Sequence, residues 1–124
     1  MLQKYINNIR IKIILTILLI KSNKMVTKFE EKVYKLCKKV PKGRVITYKE
    51  IGNKIGIKGY RAVGMALNKN PFAPKIPCHR VVGSDGNLVG FASGLKKKAE
   101  MLRKEGIDVK NNKVVDFGNV LFRF

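Results

Sequence analysis

The sequence predicts a mainly α-helical domain with a small β component, organised around a helix-turn-helix. Apolar residues recur at three- and four-residue steps in several stretches, as on one face of a helix. Two of those stretches are short and are joined by a glycine-containing connection, the pattern of a helix pair at a steep angle. Residues of β character come only in brief runs. With 124 residues and 45% hydrophobic composition, the chain is long enough for one domain with a modest core.

The first 24 residues stand apart. They carry Lys4, Arg10, Lys12, Lys21 and Lys24, no acid, and an apolar run from Ile13 to Ile20. That run is too short to span a bilayer. No small-residue cleavage site follows it, so a secretory signal is not supported. The segment reads as an N-terminal extension, either upstream of a true start at Met25 or disordered. An amphipathic membrane anchor is the rival reading. Residues 25–124 then form the domain.

From Thr27 the spacing of Phe29, Val33, Leu36 and Val40 predicts a helix, which Pro41-Lys42-Gly43 stops. Arg44 to Thr47 reads as extended. Thr47 followed by Glu50 is a capping-box pattern opening a helix through Ile51 and Ile55 that ends near Gly56. After Lys58-Gly59, Val63, Ala66 and Leu67 predict a second helix from about Tyr60 to Lys69. Asn70-Pro71 ends it, because the residue before proline avoids helical angles. Pro71, Pro74 and Pro77 stiffen the approach to Cys78. Val81-Val82, Gly83 to Gly86 and Leu88-Val89 suggest a small hairpin or turn. Leu95, Ala99 and Leu102 place a further helix over Gly94 to Glu105, with Gly106 as its C-cap. Lys113 to Phe124 has β character and is expected to pair as an edge strand.

The formal charge is +19, from 27 basic and 8 acidic residues. Without the five basic residues of the N-terminal extension it is still +14. Such an excess points to a polyanionic partner, and it supplies salt-dependent affinity without sequence preference. Two cysteines, Cys37 and Cys78, make no disulfide framework and suit a reducing compartment. One histidine and no CxxC give no zinc-binding spacing. The expectation is a cytoplasmic monomer without metal or cofactor.

Cysteine attacks as thiolate and needs a neighbour that takes its proton. Cys78 is followed at once by the only histidine, His79. Adjacent residues seldom face each other, but a proline-constrained turn allows a water to bridge them. Taken alone, this spacing favours an inert buried cysteine beside a partly exposed histidine. The wider segment alters the balance. Ile76-Pro77-Cys78-His79-Arg80-Val81-Val82 resembles the active-site motif of the O6-alkylguanine-DNA alkyltransferases (methylated-DNA–protein-cysteine methyltransferases), in their C-terminal catalytic domain. Val40 to Tyr48 resembles that family's segment leading into its helix-turn-helix. Tyr60 to Leu67 resembles its recognition helix, Asn68 to Pro71 the exit, Gly90 to Leu95 the pocket-closing loop, and Lys98 to Gly106 the last helix. The resemblance runs in order over residues 27 to 107.

The resemblance implies a winged-helix-like fold and a DNA-repair activity. Cys78 would accept an alkyl group from O6-alkylguanine, with O4-alkylthymine as a further candidate, in a single irreversible turnover. His79 would take the thiol proton through a water, Glu105 would orient His79, and Asn70 would brace the turn carrying Cys78. Tyr48, the backbone at Val81 and Ala92, and Lys98 would contact the flipped base. Arg61 would fill the vacated stack, with Tyr60, Ala62 and Arg80 also on the DNA. The partner would be double-stranded DNA, entered through the minor groove, and no membrane. Such roles suit a target atom inside a duplex, which must be rotated out before it can react.

Phe91-Ala92-Ser93 and Val89 depart from the family's usual residues. A branched side chain at position 89 should narrow the pocket and favour methyl over benzyl groups. Lys75 interrupts a normally apolar approach to Cys78 and has no account here. Two other function classes compete. A non-transferring alkyltransferase-like lesion binder would typically replace the cysteine, which is present here. A winged-helix regulator would have no use for Cys78, His79 and Glu105 together.

Overall fold

The structure is a computed structural model that describes residues 26–124. The expectations for residues 1–24 lie outside the described residues. The described residues divide between two units at Glu31 and Lys32. Of the first, only the opening of α1 (Lys28–Lys38) is described, where the Thr27 hydroxyl accepts the Glu30 amide at 3.1 Å. This cap satisfies one of the amides a helix start leaves unpaired.

In the second unit, α1 turns Val33, Tyr34 and Cys37 inward. The Tyr34 hydroxyl donates to the Ala66 carbonyl at 2.7 Å, docking α1 on the helix that carries Ala66. Before Pro41 the last turn tightens, with Lys39 and Val40 amides reaching the carbonyls of Leu36 and Cys37. A short strand β1 (Ile46–Thr47) then leads into α2 (Tyr48–Ile55) and α3 (Arg61–Asn68). These two helices form the expected helix-turn-helix. Thr47 caps α2 by accepting the Glu50 amide at 3.0 Å. Gly56, at φ 91°, ends α2 in the left-handed conformation that glycine adopts without strain. Gly52 has a different purpose. A Cβ there would lie 2.7 Å from the Tyr60 ring, so only glycine lets that ring seat on α2.

A single 3₁₀ turn at Cys78–Arg80 follows, then β2 (Val81–Val82), α4 (Leu95–Lys104), β3 (Val109–Lys110), β4 (Lys113–Val114) and the short α5 (Phe117–Val120). Of the hairpin or turn expected after Val81-Val82, the structure has the turn: Gly83 to Asn87 is closed by the Gly83 amide on the Asn87 carbonyl at 2.7 Å, while Val81-Val82 itself pairs in parallel with β1, Ile46 opposite Val81 and Thr47 opposite Val82. One expectation needs correction: the tail is not one edge strand. Lys113-Val114 pairs antiparallel with Val109-Lys110, and α5 intervenes before Leu121 bridges Val45.

The core below the site gathers Val45, Val82, Leu88, Ala99, Leu102, Ile107, Val109 and Val114, with Leu95, Phe117 and Val120 packed on it. Thus the approach to β1, β2, α4 and the tail share one apolar centre. The architecture is the mainly α, helix-turn-helix arrangement read from the sequence. Among the described residues no helix is long and apolar enough to cross a membrane.

Candidate active site

Pro77 has φ −82° and ψ 67°, the geometry of an inverse γ-turn, and the Cys78 amide accordingly donates to the Ile76 carbonyl at 2.8 Å. The 3₁₀ turn that follows is closed by the Arg80 amide on Pro77 and the Val81 amide on Cys78. Parallel pairing of β2 with β1 then anchors the turn beside the entry to α2. The same Ile76 carbonyl accepts Asn70 Nδ2 at 2.8 Å, and Asn70 Oδ1 accepts the Phe72 amide at 2.9 Å. One side chain therefore spans the loop between α3 and Cys78.

Cys78 and His79 are both buried. His79 Nε2 lies 2.9 Å from Glu105 Oε1. Burial would raise the Glu105 carboxyl, but hydrogen bonds from Arg80 and His79 outweigh it and hold the group below the usual range. Glu105 is thus an anion and an acceptor, which places the ring proton on Nε2. Nδ1 is left as the basic nitrogen; it is buried and has no hydrogen-bond partner among the described residues. Burial is also the largest influence on His79, and it lowers the imidazole pKa despite the pull of Glu105. The ring is therefore neutral near pH 7 and able to take a proton.

Cys78 opens into a cavity of about 350 Å³ lined by Tyr48, Tyr60, Arg61, Gly64, Met65, Leu67, Asn68, Val89, Gly90 and Phe91. One wall is α3 and the facing wall is the 89–91 loop. Tyr48, at the start of α2, keeps its phenolic proton because burial pushes its pKa up to about 12. Arg61 and Ala62 are exposed at the start of α3, and Tyr60 is half-buried with its hydroxyl 3.4 Å from Asn53 Oδ1. Arg61, Gly64, Met65 and Asn68 share one helical face. Periodicity from Arg61 could have found the last three, which sequence reasoning missed.

Arg80, Val81, Ala92 and Lys98, expected at the site, are not part of the cavity lining. Arg80 turns to the protein: its guanidinium lies on Glu105 and on the Val40 carbonyl. Val81 is fully buried in β2, and Ala92 is exposed outside the cavity lining. Lys98 does not line the cavity either. It is wholly buried beneath it, Nζ donating to the carbonyls of Leu88 at 2.5 Å and Gly90 at 3.3 Å and to the Tyr48 hydroxyl at 3.3 Å. A lysine satisfied this way can be buried, and here it ties the cavity loop to α4. Val89 holds φ 54° and is half exposed. A β-branched residue rarely adopts that region, so position 89 is strained.

Burial lowers Lys98 from 10.5 to about 8. Above pH 8 the unfolded chain holds a proton that the folded chain has lost, so stability rises with pH there. Cys37 and Tyr48 act oppositely. Burial pushes both up to about 12, from 9.0 and 10.0, so the folded chain keeps protons that the unfolded chain gives up. The melting temperature should therefore climb from pH 8 to 9 and turn down above that. Calorimetry across that range tests this; Lys98→Met should lose the climb, and a flat wild-type profile would contradict it.

Residues 28–107 match the model of the family described as 6-O-methylguanine DNA methyltransferase, DNA binding domain. A methylated-DNA–protein-cysteine methyltransferase of Methanosarcina barkeri is 52% identical over 80 residues, which cover 64% of this chain and 51% of that protein. The chain thus spans about half the length of the curated relatives it matches. Among solved structures, Mycobacterium tuberculosis OGT in complex with DNA aligns with TM-score 0.62 and 41% identity, over 64% of this chain and 49% of that one. S. pombe Atl1, in complex with damaged DNA containing O6-carboxymethylguanine, aligns with TM-score 0.70 and 25% identity, over 78% and 96%.

Proposed function

Because the chain belongs, through residues 28–107, to the family of 6-O-methylguanine DNA methyltransferase DNA-binding domains, we propose that it repairs alkylated DNA by moving an alkyl group from O6 of guanine to its own Cys78. The observation that carries this reading is the placement of Cys78 at the base of a cavity walled by α3, next to a histidine whose other nitrogen is held by a carboxylate.

The duplex lies along α3 through its minor groove, and the damaged nucleotide turns out of the stack into the cavity. Extrusion costs a few kcal/mol, least for a poorly paired lesion. Arg61, exposed at the start of α3, enters the gap, where a long cation meets both stacked bases and phosphate. The Tyr48 hydroxyl donates to the base edge. His79 Nδ1 takes the thiol proton, directly or through one water. The sulfur–carbon bond forms as the carbon–O6 bond breaks, and guanine recovers one proton. These atoms balance without a cofactor. A thioether has no leaving group for water to displace, so each molecule acts once.

A duplex carrying O6-methylguanine with a labelled methyl tests this. Transfer of label to Cys78, ending at one equivalent per protein, is expected. Continued turnover would exclude the self-alkylating mechanism. Label that stays on tightly bound DNA would favour lesion binding without transfer.

Val89 should govern which alkyl groups fit. Val89→Gly removes a side chain from the cavity wall and the left-handed strain of about 1–2 kcal/mol, while glycine's extra flexibility costs about 0.5–1 kcal/mol. The expected result is near-unchanged stability and a roughly tenfold rise in the benzyl-to-methyl rate ratio, within the range one or two methylenes command. Competition between O6-benzylguanine and O6-methylguanine measures it; an unchanged ratio would remove Val89 from specificity.

A further inference from the structure

Arg80 has an unusual set of partners for a residue beside a nucleophile. Its Nε donates to Glu105 Oε1 at 2.9 Å and Oε2 at 3.2 Å, its Nη2 donates to Oε2, and its Nη1 donates to the Val40 carbonyl at 2.7 Å. The side chains of Arg80 and Glu105 are 15% and 11% exposed, so the pair is largely out of water. Three of the five guanidinium N–H groups face protein acceptors, and the Nε–Nη2 fork is taken by Glu105 rather than left for a phosphate. Glu105, meanwhile, is the C-cap of α4. The helix dipole disfavours a carboxylate at that end. A cation fixed on Glu105 offsets this.

We infer that Arg80 is a positioning residue for the transfer reaction: it clamps the Glu105 carboxylate in the orientation that holds His79 towards Cys78. This rests on the alkyl-transfer reading above. The clamp reaches three elements, because Glu105 ends α4, Val40 follows α1, and Arg80 belongs to the turn of Cys78. Without the clamp, one carboxylate oxygen loses its donors and the other keeps only the imidazole. The carboxylate is then free to rotate, and the ring it orients with it.

The electrostatics give the clamp a distinct signature. The groups acting on His79 are Glu105 and Lys98 from α4 and Arg80 from its own turn, with Cys78 adjacent. From α1, Cys37 interacts with Cys78, Arg80 and Lys98. Among these, Arg80 and Lys98 oppose protonation of His79, and Glu105 favours it. Removing the Arg80 charge takes away an influence that opposes protonation, and Glu105, looser but still beside the ring, is less opposed, so His79 should hold its proton to higher pH and lose its use as a base there.

Single-turnover transfer from an O6-methylguanine duplex, followed from roughly pH 5 to 9, tests this with Arg80→Met and Arg80→Lys. Arg80→Met should move the acidic limb to higher pH and lower the plateau by about tenfold to a hundredfold, as loss of an orienting partner does at other sites. Arg80→Lys restores the charge without the fork; it should keep the limb in place with a plateau between the two. The salt dependence of DNA binding should be unchanged in both, whereas loss of about one phosphate equivalent would return Arg80 to the DNA and overturn the inference. An unmoved limb in Arg80→Met would also overturn it. Should that variant not fold, an Arg80→Lys plateau equal to wild type would do so, and a lowered plateau with the limb in place would support it. If wild type transfers nothing, the parent reading fails instead. The NMR titration of His79 then decides the clamp without substrate: an upward shift in Arg80→Met supports it and no shift refutes it.

Discussion

Serine at position 78 is expected to abolish alkyl transfer, by roughly 10⁴-fold or more, while leaving duplex binding intact. Sulfur is large, polarisable and nucleophilic, and as a thiolate it displaces an unactivated alkyl ether. A serine hydroxyl beside a neutral imidazole stays protonated at pH 7, and its oxygen is the poorer nucleophile towards carbon. The substitution costs little in structure. Cys78 is held by backbone bonds through its own amide and carbonyl, which serine keeps. A buried hydroxyl in place of the thiol costs about 1–3 kcal/mol at most. Intact-protein mass after incubation with an O6-methylguanine duplex should show one added methyl group on wild type and none on Cys78→Ser, with mobility-shift affinities alike. Transfer by the variant at a measurable rate would assign the nucleophile elsewhere. A loss of binding in parallel would make Cys78 a packing residue.

The helices were legible because their signals are local. Thr47 and Glu50, Gly56, and the apolar spacing of α1 and α4 act within a few residues, and each marks an element the structure contains. The parallel pairing of Ile46-Thr47 with Val81-Val82 was not legible. Its two strands are two residues long and far apart in sequence, so alternation has no length over which to register. The tail failed for a related reason. Its β-type residues were read as one strand, but only Lys113-Val114 pairs, across the turn at Asn111 and Asn112, and Asp116 at φ 57° breaks the chain before α5.

At the site, residue types were legible and their directions were not. Arg80 was expected on the DNA and Lys98 on the flipped base. Arg80 instead lies on Glu105, and Lys98 donates to the carbonyls of Leu88 and Gly90. Whether a cation faces solvent or a buried acceptor depends on tertiary neighbours 10 and 25 residues away in sequence. Composition counts both kinds as positive charge. The +19 formal charge therefore overstates what the molecule offers a polyanion.

Alanine at position 70 should have the second large effect, because Asn70 joins the end of α3 to the turn that carries Cys78. The Ile76 carbonyl accepts from both Asn70 Nδ2 and the Cys78 amide, each at 2.8 Å. Fixing that carbonyl fixes the turn carrying the sulfur. Removing the Asn70 side chain frees the Ile76 carbonyl on one side and leaves the Phe72 amide without its acceptor at Oδ1. Two such losses, partly relieved by solvent, cost about 2 kcal/mol. For a domain near 100 residues that lowers the melting temperature by roughly 10 °C. Rate should fall further than stability alone requires, by about a hundredfold, since a loosened turn gives up the alignment of sulfur with the alkyl carbon. Asn70→Asp separates the two bonds. Its carboxylate still accepts the Phe72 amide but has no proton for the Ile76 carbonyl, and the two sets of lone pairs repel. It should therefore recover part of the stability and little of the rate. Thermal melts and single-turnover transfer on the same preparations measure both. If Asn70→Asp transfers as fast as wild type, the Ile76 carbonyl is not what holds Cys78 in place.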